Sequence, residues 1–136
     1  MPTDPAPQVV APVLLYVEDD AIIHDVMENA LREAGFEVWA ATDGAKALEL
    51  LRGANGALRG LVTDINLGDG PDGWEVACNA RELLSGLPVV YVSGASEAEW
   101  TSKGVPNSLM IAKPFAPAQI VVAISSLLVA TDTTTS

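Results

Sequence analysis

Five short apolar runs recur along the chain, and each leads into a stretch with its own spacing of apolar positions. The runs occupy residues 13–17, 36–40, 60–63, 88–92 and 108–112. They lack regular apolar–polar alternation, which is the pattern of strands buried on both faces, as parallel strands between two helix layers are. The segment 20–34 carries Ile22, Ile23, Val26, Met27, Ala30, Leu31 and Ala34 at i, i+3, i+4 spacing. Asp20 is placed to cap that helix and Gly35 to end it. Residues 44–52 put Ala45, Leu48 and Leu51 on one face. Residues 73–85 turn Val76, Ala77, Ala80, Leu83 and Leu84 inward ahead of Gly86, with Asp72 in the capping position. A short helical stretch at 96–103 is followed by the breakers Gly104, Pro106 and Asn107. The last helix is expected over 116–129, with Pro117 in its first turn. Five βα units with right-handed crossovers predict an α/β fold, a three-layer sandwich around a five-stranded parallel sheet.

Residues 1–11 hold three prolines and little periodicity, and read as a flexible lead-in. Residues 131–136 read as a disordered tail. The stretch between, 12–130, is long enough for one domain with a substantial core. No apolar run is long enough to span a membrane, and no basic segment precedes a signal-like run, so a cytoplasmic protein is expected. Cys78 stands alone and reads as a buried or half-buried thiol without a disulfide partner. No Cys/His cluster suggests zinc. The net charge of −11 argues against direct contact with nucleic acid.

Four of the apolar runs end at reactive side chains. Glu18-Asp19 follows the first, Asp64 the third, Ser93 the fourth and Lys113 the fifth. In an open parallel sheet such positions share one edge, where ligands bind. Three ionised carboxylates brought together repel by several kcal/mol, at an effective dielectric of about 20. A bound cation relieves that repulsion, and Mg²⁺ suits an all-oxygen site. A carboxylate there can act as a nucleophile toward phosphorus. The resulting acyl phosphate needs a cation, a hydroxyl and backbone N–H groups around its oxygens. Lys113, Ser93 and the loop after Asp64 supply those groups.

The ordered motifs Val17-Glu18-Asp19-Asp20, Val62-Thr63-Asp64-Ile65-Asn66, Val92-Ser93-Gly94 and Lys113-Pro114-Phe115 resemble the receiver domain of bacterial two-component response regulators. The resemblance covers residues 12–130 and implies a (βα)5, flavodoxin-like, doubly wound topology. It implies that Asp64 is the phosphoacceptor. Asp19 would ligate Mg²⁺ directly, Glu18 would act mostly through water, and Asn66 would offer its backbone carbonyl. Ser93 would be the switch hydroxyl, and Lys113 would contact the phosphoryl group from beside a cis Lys113–Pro114 bond. The phosphodonor would be a histidine kinase or a histidine phosphotransfer protein. The domain would catalyse only its own phosphorylation and dephosphorylation, as a monomer or weak dimer, and would signal to a downstream protein.

Four departures from the family pattern stand out. No effector domain follows in this sequence, which reads as a stand-alone receiver. Met110 takes the place of the aromatic residue many receivers carry in strand five. The segment between Ser93 and Lys113 is compressed, so the fourth helix should be short and partner contact there unusual. The loop 67–73 is long and glycine-rich, and its Asp69 reads as a solubilising residue. Beside these four, Ala95 lies two beyond the switch hydroxyl and offers water no side-chain hydrogen bond, which suggests a long phosphoryl lifetime.

Other readings remain open at this point. One is a receiver-shaped binding module that is never phosphorylated. Another is a Mg²⁺-dependent phosphatase, although the aspartate-nucleophile hydrolases of that kind place their motif after the first strand. His24, the single histidine, reads as an exposed helix residue near the acidic pocket. Trp39, Trp74 and Trp100 lie on different elements and read as packing residues.

Overall fold

The computed structural model describes residues 11–54, 56–94 and 97–134. Within them, strands and helices alternate. The strands are β1 (Val13–Val17), β2 (Glu37–Ala41), β3 (Leu58–Asp64), β4 (Val89–Ser93) and β5 (Ser108–Ala112). The helices are α1 (Ala21–Glu33), α2 (Gly44–Arg52), α3 (Gly73–Leu83), α4 (Glu97–Lys103) and α5 (Pro117–Thr134). All strands are parallel, in the order β2-β1-β3-β4-β5, so the sheet is wound outward in both directions from β1 and β3. This is the flavodoxin-like, doubly wound topology, and its switch point lies between the ends of β1 and β3.

The unbroken apolar strands do what their pattern implies. Leu14, Leu15, Tyr16 and Val17 are all buried, and successive side chains feed opposite helix layers. Leu15, Val17, Leu61, Val89 and Tyr91 pack with α2, α3 and the Trp100 side chain of α4. Leu14, Tyr16, Val62, Val90 and Val92 pack with α1 and α5. The two edge strands, β2 and β5, are the least covered.

Local signals place most helix ends. The Asp20 carboxylate accepts from the Ile22 and Ile23 N–H groups at 3.0 and 3.1 Å. Asp43 and Asp72 cap α2 and α3 in the same way, at 2.7 and 3.0 Å. Gly35, at φ 102°, takes the left-handed turn that closes α1, and the Phe36 N–H then reaches back to Leu31 O. Pro117 opens α5.

Several expectations need correction. Strand β3 is longer than residues 60–63. Val13 pairs with Leu58 and Leu14 with Gly60, so Arg59 sits in a bulge that hides the strand's start from a pattern search. Helix α5 continues through Thr134, so residues 131–134, read as disordered tail, are helical. The inward stripe of α1 is His24, Met27 and Leu31, while Ile22 and Val26 are 78% and 51% exposed. His24 is therefore buried, with its ring 5.1 Å from that of Tyr16, because it shares the i, i+3, i+7 face with Met27 and Leu31. Cys78 is exposed, since its neighbour Ala77 takes the inward position on α3. The expected short fourth helix is seen: α4 has 7 residues. Trp74 packs on Tyr91, while Trp39 and Trp100 are half-buried. Ala95 lies outside the described residues, as do residues 1–10 of the expected lead-in.

Candidate functional site

The pocket lies at the carboxyl ends of β1, β3, β4 and β5. Glu18 and Asp19 follow β1 directly, and Asp64 is the last residue of β3. Carboxylate oxygens of Glu18, Asp19 and Asp64 lie within 4.8 Å of one another. Glu18 and Asp64 are buried, while Asp19 is exposed. Lys113, the residue after β5, places Nζ 2.9 Å from Asp64 Oδ2 and 3.4 Å from Glu18 Oε1. Ser93 ends β4 and is fully buried. It lies one residue past Val92, the partner of Asp64 across the β3–β4 ladder. Its carbonyl accepts from the Lys113 N–H at 2.8 Å, which ties the ends of β4 and β5 together. The Lys113–Pro114 bond is cis. Asn66 is exposed, two residues past Asp64.

The electrostatics describe a site short of positive charge. Among the described residues three carboxylates share one ammonium, an excess of two negative charges when all are ionised. At the observed spacing each carboxylate pair repels by about 3 kcal/mol, with an effective dielectric of about 20. Burial, a hydrogen bond with Asp64 and the Asp64 charge push the Glu18 carboxyl up to about 7, against the pull of the Asp20 N–H and Lys113. Burial alone would lower the Lys113 ammonium, but its hydrogen bond to Asp64 and the charges of Asp64 and Glu18 outweigh that and raise it. The field reaches Tyr16, whose phenol is raised by burial first and then by Glu18, Asp64 and Asp20. The rise in Glu18 follows from burial beside a second carboxylate, and a hard cation bound among these oxygens would relieve that repulsion.

The structure thus brings Glu18, Asp19, Asp64, Ser93 and Lys113 to one edge. Asp69 is exposed and stands outside this carboxylate group. Two features escaped the sequence reading. Ile22, Val26 and Phe115, with Pro117, line an apolar groove of about 440 Å³ that abuts Lys113. The signal for it was His24, whose place on the α1 wheel rotates Ile22 and Val26 outward. The second is Thr63, a hydroxyl inside an otherwise apolar run. It is fully buried and donates to Asp64 O at 2.8 Å.

Comparison with known proteins agrees with this geometry. Residues 14–125 match the response regulator receiver domain family. The crystal structure of a response regulator receiver protein from Sinorhizobium medicae is 46% identical, with a TM-score of 0.83, covering 87% of this chain and 94% of that one. The receiver domain of the hybrid histidine kinase CckA is 27% identical, with a TM-score of 0.73, covering 85% and 98%. The transcriptional regulatory protein PrrA of Mycobacterium tuberculosis is 32% identical over 124 residues, which is 88% of this chain and 51% of PrrA. The chain spans about half the length of the curated relatives it matches. With the doubly wound sheet and the acid pocket at its switch point, these matches show that the chain belongs to the receiver-domain family of two-component response regulators.

Proposed function

We propose that this domain is a signalling switch that accepts a phosphoryl group on Asp64 from a phosphohistidine of a histidine kinase or phosphotransfer protein. The observation that carries this reading is the 2.9 Å contact between the Lys113 ammonium and a buried carboxylate that shares its pocket with two more acids. An Asp64 oxygen attacks phosphorus, the O–P bond forms and the N–P bond of the donor breaks. Lys113 already pairs with Asp64 and is within reach of a phosphoryl oxygen added there. Ser93, one residue beyond the β4 partner of Asp64, brings its hydroxyl to the same edge. Glu18, Asp19, Asp64 and the Asn66 carbonyl would hold Mg²⁺, which when bound neutralises the developing charge on phosphorus. The all-oxygen donor set, with the three carboxylates within 4.8 Å of one another, supports this assignment.

The groove formed by Ile22, Val26 and Phe115 adjoins Lys113 and offers an apolar landing for the protein that delivers the phosphoryl group. The strongly acidic chain favours protein partners over nucleic acid for the domain itself. Its chemistry is a single self-directed transfer followed by hydrolysis, without turnover of a free substrate. Intact-mass analysis after exposure to acetyl phosphate with Mg²⁺ tests the reading. The parent gains one phosphoryl group and Asp64→Asn gains none. An unchanged parent, or equal gain in both, overturns it.

A further inference from the structure

We propose that Thr63 is a positioning residue for the Asp64 pocket, acting through the main chain and touching neither phosphate nor metal. The inference rests on Asp64 being the phosphoacceptor. Strand alternation puts Thr63 on the side of the sheet opposite to Asp64, between Leu61 and Ile65, which both face the α2–α3 layer. It is fully buried there. Valine has nearly the same shape and would fill the site without a polar atom. The hydroxyl is instead spent on one bond, to the carbonyl of Asp64 at 2.8 Å.

That carbonyl belongs to a tightly constrained stretch. The peptide joining Asp64 to Ile65 is held at both ends: its oxygen accepts from Thr63, and its N–H donates to Val92 O at 3.1 Å. The next peptide is held by Gly73, whose N–H donates to Ile65 O at 2.8 Å. Gly73 closes on the turn so tightly that a Cβ there would collide with Asp64 O and sit 2.7 Å from Ile65 Cα. Two consecutive peptide planes after Asp64 are therefore fixed. They set where the Asn66 carbonyl stands relative to the Asp64 carboxylate, the two groups that would share the cation. Without the Thr63 hydroxyl the first plane keeps one hydrogen bond, at its N–H, beside the close approach of Gly73. It then rotates more freely about that bond, and the Asn66 carbonyl is less well aligned with the Asp64 carboxylate. A site that demands near-ideal octahedral geometry is sensitive to such a loss.

The experiment compares the parent with Thr63→Val, Thr63→Ala and Thr63→Ser. Mg²⁺ affinity is read by titration calorimetry, phosphoryl incorporation from acetyl phosphate by intact mass, and folding by circular dichroism. Thr63→Val should stay folded, bind Mg²⁺ about tenfold more weakly, and incorporate phosphate more slowly at subsaturating Mg²⁺. Thr63→Ala should show the same loss if the valine variant fails to fold. Thr63→Ser, which keeps the hydroxyl, should return to within about twofold of the parent. Parent-like Mg²⁺ affinity in a folded hydroxyl-free variant overturns the proposal. So does a serine variant as impaired as the valine one, since packing would then be the cause. Failure of Asp64 itself to take phosphate would appear in the parent and is distinguishable from both.

Discussion

Strand β5 joins two polar regions that treat their buried groups in opposite ways. Before it, the connection from α4 is a closed network. The Tyr91 hydroxyl accepts from the Val105 N–H at 3.1 Å. Trp100 Nε1 donates to Ser108 Oγ at 3.0 Å, and that hydroxyl donates to Val105 O at 2.7 Å. Arg81 donates to Leu87 O at 2.6 Å and Asn107 O at 3.2 Å. Each of these donors meets an acceptor within the chain. After β5, Lys113 enters a pocket where three carboxylates share one ammonium and a buried glutamic acid holds its proton toward neutral pH. In this network each donor finds its acceptor inside the chain, because leaving a buried polar group unpaired costs more than the bond returns. A site left with surplus charge is poised for partners from outside.

The sharpest way to break this contrast is Lys113→Met. If the ammonium acts on the transferred phosphoryl group, incorporation from acetyl phosphate slows by about 10²–10³, the range for removing one preorganised charge-stabilising donor. A time course by intact mass reads it. A rate within twofold of the parent would reduce Lys113 to an ion-pair partner.

The next effect concerns pH. The Glu18 carboxyl is raised from 4.5 to about 7 in the folded chain. Below the lower value it is protonated in both folded and unfolded states. Between the two values the folded chain keeps a proton that the unfolded chain releases, so stability is lost as pH rises across that window and levels off above it. Urea midpoints in the presence of a chelator should therefore be lower at pH 7.5 than at pH 5. Saturating Mg²⁺ should recover the difference at pH 7.5 and do little at pH 5, because ligation requires the deprotonated carboxylate. Glu18→Gln should flatten the dependence, and a slope equal to the parent's would place its origin elsewhere.

The smallest effect falls on the closed network. Tyr91→Phe keeps the ring against Trp74 but leaves the Val105 N–H without its acceptor, at a cost of about 1–3 kcal/mol in urea unfolding. Phosphoryl incorporation should stay within twofold of the parent. A large change in that rate with stability preserved would show that the two regions are coupled through β4.

Much of this was legible in one dimension, for identifiable reasons. Apolar strands without alternation signal burial on both faces, so the parallel sheet and its helix layers followed from local pattern. Asp20, Asp72, Gly35 and Pro117 mark helix ends through bonds made within a few residues, and each does so in the structure. The pocket residues were legible because each ends a strand or lies within two residues of its carboxyl end, and the topology of a parallel sheet gathers those ends. Two of the misreadings lie where the outcome depends on contacts between elements. His24 is buried because Tyr16 receives its ring, and that rotation exposes Ile22 and Val26. The bulge at Arg59 depends on pairing with β1.

Periodicity, capping chemistry and the placement of acids, hydroxyl and lysine at strand ends are properties of short segments, and they sufficed for the fold and for gathering those side chains at one sheet edge. Which way α1 turns, the proton that Glu18 holds and the anchoring of the Asp64 carbonyl are properties of distances between segments. Such distances exist only after long-range packing has removed water and brought Lys113 within 2.9 Å of a residue 49 positions away.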